Sequence, residues 1–444
     1  MGLETKKKAA FITLGCKVNQ YETNAIIQSF IKNGYDIVES SEVADVYVVN
    51  TCTVTNMSDR KSRQMLRKVK ELNRDSLVIA CGCYAQVAKK ELENISEIDL
   101  VLGNNEKKDI INIIKELERV NKGFKYTKVD EILNQKDFVE LGEILYTDKA
   151  RAFIKIQDGC DRFCTYCIIP YARGRVRSRS PKSIIAEINK IAEKGIKEVV
   201  ITGIHIASYG KDFNNEYKLI DLLEEINKID KIKRIRLGSI EPLIITNEFL
   251  NRLVKLEKIC KHFHLSIQSG CDVTLKRMNR RYTTRQLENI IDLLRNTYKD
   301  VLITTDIIVG FPGETDNEFE TTFEFLKRVK LYKLHVFKYS ERKGTKAADM
   351  KNQINGNDKD ERSKILLNLS DKYEEEYNKE YINKELEILI EEKKDGYYIG
   401  HSDNYIQTRL SSNNIQGLEN KIVKGKGINS RKNNIEIELL KVSK

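Results

Sequence analysis

Residues 153–179 read FIKIQDGCDRFCTYCIIPYARGRVRSR, in which a strand-like apolar run leads into a loop with three cysteines. Cys160, Cys164 and Cys167 follow the spacing C-x3-C-x2-C, so one short loop supplies three thiolates. A structural zinc site takes four protein ligands, whereas three cysteines without a nearby histidine leave one metal position open. A 4Fe–4S cluster needs only three protein thiolates when its fourth iron is free to bind a small molecule. The spacing therefore favours a cluster over the alternative of three buried, inert thiols.

Six strand-like runs and five helical patterns alternate around this loop, between residues 152 and 340. Such alternation predicts a parallel sheet with helices on its faces. Six β/α units are fewer than a closed barrel needs, so a partial (β/α)6 barrel is expected. Chemistry in such barrels lies at the carboxyl ends of the strands. The three-cysteine loop follows the first strand and is expected at that end.

The 444 residues are too many for one ordinary core, and the patterns divide them into an α/β multidomain architecture. Residues 1–135 alternate four buried strand-like runs with three amphipathic helical segments, which predicts an N-terminal parallel α/β sheet domain. Residues 136–149 are polar and are expected to form a linker. The barrel is expected over residues 150–380 and ends in a charged helix. Residues 381–444 have short strand patterns, which predict a small all-β module.

A second set of cysteines follows three strands of the predicted N-terminal sheet. Cys16, Cys52 and Cys83 each come at the carboxyl end of a strand-like run. Open α/β sheets place their ligands at this edge, so the three thiols are expected to converge and to hold a second metal cluster. Cys81 competes with Cys83, because it lies two residues away. The alternative is that these cysteines are packing residues.

Polar residues and glycines recur where the predicted barrel strands end. A glycine after a strand lets the backbone approach a ligand closely, and Glu241 or Gln268 could bond the ribose hydroxyls or amino group of a nucleoside cofactor. The alternative for each position is a helix cap. The candidate cofactor-binding residues are Thr202, Gly203, Ser239, Glu241, Gln268 and Asp306.

Basic residues suggest a polyanionic partner, since the formal net charge is +11. Four arginines after the cysteine loop alternate with other residues, which would put their guanidiniums on one face of an extended chain for phosphate contact. The alternatives are a solvated edge or internal ion pairs. Lysines of the β module fit RNA binding by small β-barrels. The candidate RNA-binding residues are Arg173, Arg175, Arg177, Arg179, Arg280, Arg281, Lys424 and Lys426.

The hydropathy of the chain and its use of cysteine predict the cellular compartment of the protein. No apolar stretch approaches the length of a membrane-spanning helix, and the first residues lack a secretory signal, so no membrane partner and a cytoplasmic location are expected. Nine cysteines in such a chain favour metal or redox chemistry over a disulfide framework.

Several motifs together resemble the radical SAM (S-adenosylmethionine) methylthiotransferase family. The three-cysteine loop with its trailing arginines is similar to the family's radical SAM signature. LGCKVNQYET around Cys16, NTCTVT around Cys52 and GCYAQ around Cys83 are similar to its N-terminal domain, and the last match selects Cys83 over Cys81. GYYIGHSDNYIQT, at residues 396–408, resembles a TRAM domain, which is an RNA-binding β module.

The resemblance implies two 4Fe–4S clusters and two SAM molecules for each product. One SAM would give a 5′-deoxyadenosyl radical at the Cys160, Cys164 and Cys167 cluster, and the other would methylate sulfur held at the second cluster. The subgroup with the most similar residues around Cys16 acts on N6-threonylcarbamoyladenosine next to the tRNA anticodon, at tRNA position 37. A low-potential electron donor such as flavodoxin or ferredoxin is also implied. Arg280 and Arg281 are candidates for contact with the substrate's carboxylate.

Other functions remain open at the level of sequence. Family relatives act on N6-isopentenyladenosine in tRNA or on an aspartate of a ribosomal protein. A non-enzymatic alternative is a metal-containing RNA-binding protein. No catalytic residue beyond the cluster ligands, and no sulfur source, is indicated.

Overall fold

The structure is a computed structural model that describes residues 6–119, 125–142, 144, 150–413 and 415–442. Within these residues, three bodies follow one another along the chain: an α/β sheet domain, a partial barrel and a small closed β-barrel. The predicted fold class is confirmed. No helix in these ranges is long and apolar enough to cross a membrane.

The N-terminal domain is a six-stranded parallel sheet in the order β2-β1-β3-β4-β5-β6. Its strands are β1 (Lys8–Thr13), β2 (Asp36–Val38), β3 (Val46–Thr51), β4 (Leu77–Gly82), β5 (Leu100–Leu102) and β6 (Tyr126–Lys128). Its helices are α1 (Lys17–Lys32), α2 (Asn56–Leu72), α3 (Cys83–Val87), α4 (Lys89–Glu93) and α5 (Ile110–Arg119). The central strand β3 is buried along its whole length, because helices cover both faces of a parallel sheet.

Two sheets form the central barrel, in the orders β10-β9-β7-β8 and β11-β12-β13. Its strands are β7 (Arg151–Asp158), β8 (Arg177–Ser178), β9 (Glu198–Gly203), β10 (Arg234–Leu237), β11 (His262–Gln268), β12 (Leu302–Val309) and β13 (Lys333–Lys338). Parallel bridges from Ile235 to Ile259 and from Ile240 to Leu265 join the two sheets. The six parallel strands therefore run in chain order around a partial barrel, with β7 and β13 at its two sides, and the short β8 pairs antiparallel to β7.

Helices cover the outside of this barrel and return the chain to the next parallel strand. They are α7 (Pro181–Glu193), α8 (Leu219–Asn227), α9 (Asn247–Leu253), α10 (Asp272–Arg277), α11 (Thr284–Thr297) and α12 (Asp316–Val329). The short helix α6 (Ile169–Arg173) follows the cysteine loop and packs on α3 of the N-terminal domain. Capping boxes begin two of them: Thr283 with Gln286 in α11, and Thr315 with Glu318 in α12. A long charged helix, α13 (Gly356–Glu380), leaves the barrel.

The C-terminal module is a closed five-stranded barrel in the order β14-β15-β16-β18-β17. Its strands are β14 (Glu385–Lys394), β15 (Tyr397–Ser402), β16 (Gln407–Ser411), β17 (Ile422–Arg431) and β18 (Asn434–Val442). The module packs on the amino ends of the central strands. There Arg234 donates to the carbonyl of Glu387 at 2.7 Å, and Arg236 donates to that of Ser402 at 3.2 Å. It thus lies at the end of the barrel opposite the cysteine loop.

The N-terminal domain contacts both sides of the partial barrel. Helix α1 packs on β7 and β9, where Glu22 of α1 accepts from Lys155 Nζ at 2.7 Å. On the other side, Asn56 donates its N–H to Ser340, just after β13, at 2.9 Å. The N-terminal domain therefore spans the gap between the first and last strands. The predicted domain boundaries at residues 135, 149 and 380 stay predictions.

Candidate active site

The three-cysteine loop lies at the carboxyl end of β7, between that strand and α6. A Cβ on Gly159 would lie 1.8 Å from the carbonyl oxygen of Arg175, so the turn into the loop (φ 71°) requires glycine. The N–H of Cys167 donates to the carbonyl of Cys164 at 3.0 Å, which folds the loop back on itself. All three cysteines are partly exposed, as ligands of a group bound at the barrel mouth would be.

The thiols of this loop suit a bound cluster. Burial raises the pKa of Cys160 to about 11 and that of Cys167 to about 12, and electrostatic repulsion from the nearby Cys164 contributes to both shifts. Thiols in this state stay protonated at neutral pH unless a cation binds. Iron supplies that positive charge and converts the set to thiolates. The donor set therefore fits a 4Fe–4S cluster.

Arg280 is turned inward behind this loop. Its Nη1 donates to Cys164 Sγ at 3.3 Å, its Nη2 to the carbonyl of Ser266 at 2.9 Å, and its Nε to the hydroxyl of Tyr282 at 2.7 Å. Arg280 is half-buried and these hydrogen bonds join the cysteine loop to β11, while its RNA contact stays a prediction. Arg281, next in sequence, is exposed, and its RNA contact stays a prediction.

A cavity of about 230 Å³ opens beside Cys167. Gln268 and Asp306, two of the six predicted cofactor positions, line it. Its other walls include Val54, Thr55, Tyr166, Ile168, Ile308, Phe337 and Tyr339. Gln268 adopts a left-handed backbone conformation (φ 74°), which is uncommon for a non-glycine residue. Apolar walls with a few polar groups suit a nucleoside cofactor bound next to the cluster.

The other four predicted cofactor positions do not line this cavity: Thr202, Gly203, Ser239 and Glu241. Glu241 accepts from His205 Nε2 at 2.5 Å and pairs with Arg162 Nε of the cysteine loop at 2.8 Å. Burial opposes its ionisation, but the hydrogen bond from His205 and the nearby arginines lower the pKa of Glu241 to about 2. Glu241 therefore holds the cysteine loop, and SAM contact by these four residues stays a prediction.

The second cysteine set lies at the carboxyl edge of the N-terminal sheet. Cys16 is the N-cap of α1, Cys52 follows β3, and Cys83 begins α3 after β4. A Cβ on Gly15 would lie 2.7 Å from Cys52 Sγ, and the charge of Cys83 acts on both Cys16 and Cys52, so the three thiols converge. Cys81 lies instead in an apolar cluster on the other face of the sheet.

A buried charge network adjoins Cys83 at the boundary between the two domains. Arg173 donates from Nε to Cys83 Sγ at 3.1 Å and from Nη2 to Glu22 at 3.1 Å, and it pairs with Asp158 at 3.3 Å. Four buried cations of the described chain share these two carboxylates: Lys107, Lys155, Arg173 and Arg177.

The network therefore holds two more positive than negative charges. Uncompensated buried charge is costly, so the network favours a nearby anion. A 4Fe–4S cluster held by three thiolates carries negative charge, and the residues around Cys83 fit it. Sequence analysis missed the carboxylates Glu22 and Asp158, because the spacing of motifs does not reveal ion pairs between domains.

Three of the four arginines that follow the cysteine loop are buried, which corrects the sequence-based prediction that all four contact phosphate. Arg173, Arg177 and Arg179 are 0%, 1% and 4% exposed, and internal ion pairs take their charges. Arg179, for example, pairs with Glu140 at 2.9 Å. The prediction of RNA contact is wrong for these three, and the alternative of internal ion pairs holds. Arg175 is exposed and lies over the ring of Phe163, and its RNA contact stays a prediction.

Lys424 and Lys426 lie on the outer face of β17, where Lys424 is exposed and Lys426 is half-buried. They alternate with Gly425 and Gly427, which are buried and face the interior of the β module. The two ammonium groups therefore point the same way along one strand. RNA contact by these lysines stays a prediction.

Neither cysteine set is a single-ion site. Among the described residues, no group of three His, Cys, Asp or Glu side chains is close enough to hold one metal ion. Each thiolate of a 4Fe–4S cluster binds a different iron, so its ligands are spread more widely than those of a zinc ion.

A three-cysteine loop at the mouth of a partial (β/α)6 barrel, with a nucleoside-sized cavity beside it, defines a radical SAM enzyme. Residues 154–326 match the model of the Radical SAM superfamily, and residues 8–103 match that of Uncharacterized protein family UPF0004. The radical S-adenosylmethionine methyltransferase TsrM from Kitasatospora setae shares the fold, with a TM-score of 0.57 and 13% identity over 78% of this chain and 74% of that one.

Curated relatives match almost the whole chain. Threonylcarbamoyladenosine tRNA methylthiotransferase MtaB from Bacillus subtilis (strain 168) is 41% identical over 94% of this chain and 93% of its own length. MtaB from Aquifex aeolicus (strain VF5) is 42% identical over 87% and 93%. The tRNA-2-methylthio-N(6)-dimethylallyladenosine synthase of Thermoanaerobacter sp. (strain X514) is 36% identical over 85% and 81%. The chain belongs to the radical SAM methylthiotransferase family, which confirms the resemblance seen in the sequence and implies SAM and a 4Fe–4S cluster as cofactors.

Proposed function

We propose that this chain is the tRNA methylthiotransferase that converts N6-threonylcarbamoyladenosine, at tRNA position 37, to its 2-methylthio derivative. The observation that carries the proposal is the pair of three-cysteine sets, one in the barrel mouth and one in the domain that spans the barrel. The relatives named for threonylcarbamoyladenosine reach 41% and 42% identity, against 36% for the dimethylallyladenosine relatives, which favours the first substrate.

Each cysteine set has a separate role in this proposal. Cys160, Cys164 and Cys167 hold the cluster that supplies one-electron cleavage of SAM, and the cavity with Gln268 and Asp306 orients that SAM. Cys16, Cys52 and Cys83 hold a second 4Fe–4S cluster that carries sulfur. Two SAM molecules are used for each product, one for the radical and one for the methyl group. Two sites are needed because hydrogen abstraction and sulfur delivery are different chemistries.

The partners follow from this chemistry. The substrate is tRNA, and the target base leaves the anticodon stack to enter the barrel mouth. The exposed cations Arg175, Arg281 and Lys424, with the half-buried Arg280 and Lys426, are the remaining phosphate contacts of the sequence-based set. Reduction of the cluster needs a low-potential donor such as flavodoxin or ferredoxin, and the proposed location of the reaction is the cytoplasm.

The substrate is tested by expressing the chain in a bacterium that lacks its own tRNA methylthiotransferases. Digested tRNA is then analysed by mass spectrometry, and the 2-methylthio form of N6-threonylcarbamoyladenosine is expected. The Cys52→Ala variant is the matched control, in which this nucleoside should be absent. Appearance of the methylthio isopentenyl nucleoside alone would show that the substrate is wrong while the reaction class holds.

The two clusters are tested by iron and sulfide analysis after anaerobic reconstitution. Changing Cys160, Cys164 and Cys167 together to Ala should leave about one cluster for each chain, because the N-terminal set is independent. The matched controls are Cys81→Ala, Cys260→Ala and Cys271→Ala, which should keep the full iron content. A triple variant without iron would contradict the second site.

A further inference from the structure

The cavity beside Cys167 has walls from both domains that carry cysteine sets. Val54 and Thr55, the second and third residues after Cys52, form its wall in the N-terminal domain. Phe337, near the end of β13, forms part of its wall in the barrel. The cavity therefore lies between the two cysteine sets, which is where an atom that reacts at both must be held.

Hydrogen bonds hold these two walls at a fixed spacing. The N–H of Asn56 donates to Ser340 at 2.9 Å, and Arg342 donates to Thr53 and to Asn56 at 2.6 Å. They join the chain on either side of the N-terminal wall to the chain just after β13. The gap between the walls is therefore set by the fold before any ligand enters, which lowers the cost of ordering on binding.

The Phe337 side chain points into the mouth of the barrel. Side chains alternate along a strand, so it shares a face with His335, whose ring lies 5.4 Å from that of His264 inside the barrel. Leu334 and Val336, on the other face of β13, pack in the core beneath the helices. Phe337 is nevertheless 47% exposed, because the mouth is open at this end of the strand.

The other aromatic rings that line the cavity are already packed. Tyr166 and Tyr339 both lie edge-on to Phe311, with ring centroids 6.4 Å and 5.5 Å away. In the part of the chain that the structure describes, no aromatic ring or cation packs on Phe337. Across the gap, Val54 is 51% exposed. Exposed apolar side chains on both sides of one gap indicate a binding site for a flat apolar group.

We propose that Val54 and Phe337 form a slot for the purine ring of the target adenosine, with Phe337 as its stacking partner. The inference rests on the proposed function and deepens it. Enzymes that act on a base hold the extruded base between aromatic and apolar side chains. Carbon 2 of the adenine gains the methylthio group, and a ring stacked in this slot lies between the two cysteine sets.

The polar residues of the cavity lie deeper than the slot. Gln268 and Asp306 are half-buried, and Asp306 pairs with His264 Nε2 at 3.1 Å. This floor suits the cofactor bound next to Cys167, whereas the exposed slot suits a base that arrives from outside on tRNA. SAM and the base therefore use different parts of the cavity.

The test compares two anticodon stem-loops, with N6-threonylcarbamoyladenosine or an abasic nucleotide at position 37. Equilibrium binding to reconstituted enzyme is measured without reductant, so that no turnover occurs. Phe337→Leu should weaken binding of the first stem-loop roughly tenfold and leave that of the abasic one unchanged, because stacking needs a base. Val54→Ala should weaken only the first, by roughly fivefold. Phe337→Tyr should keep the wild-type values.

Tyr126→Leu, at an exposed ring on the edge strand β6, is the matched control and should bind both stem-loops as wild type does. All variants are compared at wild-type iron content. Equal weakening of both stem-loops in Phe337→Leu, or no weakening, would overturn the slot. Absence of methylthio product when wild type is given reductant would overturn the proposed function, while the binding comparison would still decide the slot.

Discussion

At the scale of single residues, Arg173 connects the two cysteine sets. It ends the short helix after the three-cysteine loop, and its Nε reaches Cys83 of the other domain at 3.1 Å. Hydrogen bonds to cluster sulfur and nearby positive charge both stabilise the reduced, more negative form of a cluster. Arg173 is therefore a positioning residue for the second cluster in the proposed two-cluster enzyme.

Arg173→Gln should lower the reduction potential of the N-terminal cluster by roughly 60 mV, which corresponds to about 1.4 kcal/mol for one electron. The measurement is a redox titration followed by electron paramagnetic resonance, with Cys160, Cys164 and Cys167 changed to Ala so that only this cluster is present. Arg175→Gln, on the exposed neighbour, is the control. A potential equal to that of the parent would show that Arg173 does not interact with the cluster.

The ion pairs of Glu198 predict how the stability of the protein depends on pH. Burial opposes its ionisation, but the charge and hydrogen bonds of Arg236, with the charges of Arg151 and Arg234, lower the pKa of Glu198 from 4.5 to about 2. Because the folded pKa is the lower one, this stability is present above about pH 4.5 and is lost as the pH falls towards 2. The shift corresponds to about 3 kcal/mol.

Wild-type apoprotein should therefore lose about 3 kcal/mol more unfolding free energy between pH 5 and pH 2 than Glu198→Gln does. Chemical unfolding at several pH values measures this difference. Glu216→Gln, at an exposed position, should follow the wild-type curve. Parallel curves for wild type and Glu198→Gln would contradict the role of this ion pair.

At the scale of elements, long periodic segments and buried apolar runs agree with their sequence patterns. The strands β3, β4, β5, β9 and β12 and the helices α2, α7, α11 and α12 lie where the patterns predict them. The strands β2 and β6 were not predicted, because they have three residues each and no buried apolar run. The third helical pattern of the N-terminal domain predicts one helix over residues 85–95, which the structure splits into α3 and α4 at Ala88.

Two lysines of β17, Lys424 and Lys426, allow the predicted RNA contact to be tested. Changing Lys424 and Lys426 together to Gln should weaken tRNA binding and reduce the slope of log affinity against log salt by roughly one to two, if each contacts a phosphate. Fluorescence anisotropy over a range of salt concentrations measures both quantities. Lys255→Gln, at an exposed position on the central barrel, is the control and should keep the wild-type slope.

Substitution is preferable to deletion of the β module. Leu302 and Tyr332 of the barrel share an apolar cluster with module residues, and Arg234 and Arg236 donate to module carbonyls. Deletion would expose this interface, and the loss of tRNA binding would then be mixed with unfolding. An affinity unchanged in the double lysine variant would remove β17 from the RNA interface.

At the scale of the whole molecule, the proposed two-cluster function requires that the two cysteine sets keep a fixed separation. Arg342, after β13, is buried and donates at 2.6 Å to Thr53, Asn56 and Asp59 of the segment after Cys52. This contact joins the loop that carries one ligand of the second set to the far side of the barrel. The domain interface is thus part of the active site.

Arg342→Ala should lower methylthio product by about 100-fold while SAM cleavage continues, because small displacements of reacting groups are costly. The ratio of 5′-deoxyadenosine to methylthio nucleoside should therefore rise. Arg328→Ala, on the exposed face of α12, is the control. An equal loss of both products would indicate general unfolding in place of a lost alignment.

The sequence by itself determined the fold class, the cysteine sets and the family. Local spacing specifies the three-cysteine loop, strand–helix alternation specifies parallel sheets, and the carboxyl ends of parallel strands meet at one edge, so Cys16, Cys52 and Cys83 were predicted to converge. Only the tertiary structure decided what the charged side chains do. Arg173 finds Glu22 across 151 residues, and Arg342 finds Asp59 across 283 residues. Pairing of charges depends on which distant residues fold together, and sequence spacing carries no information about that.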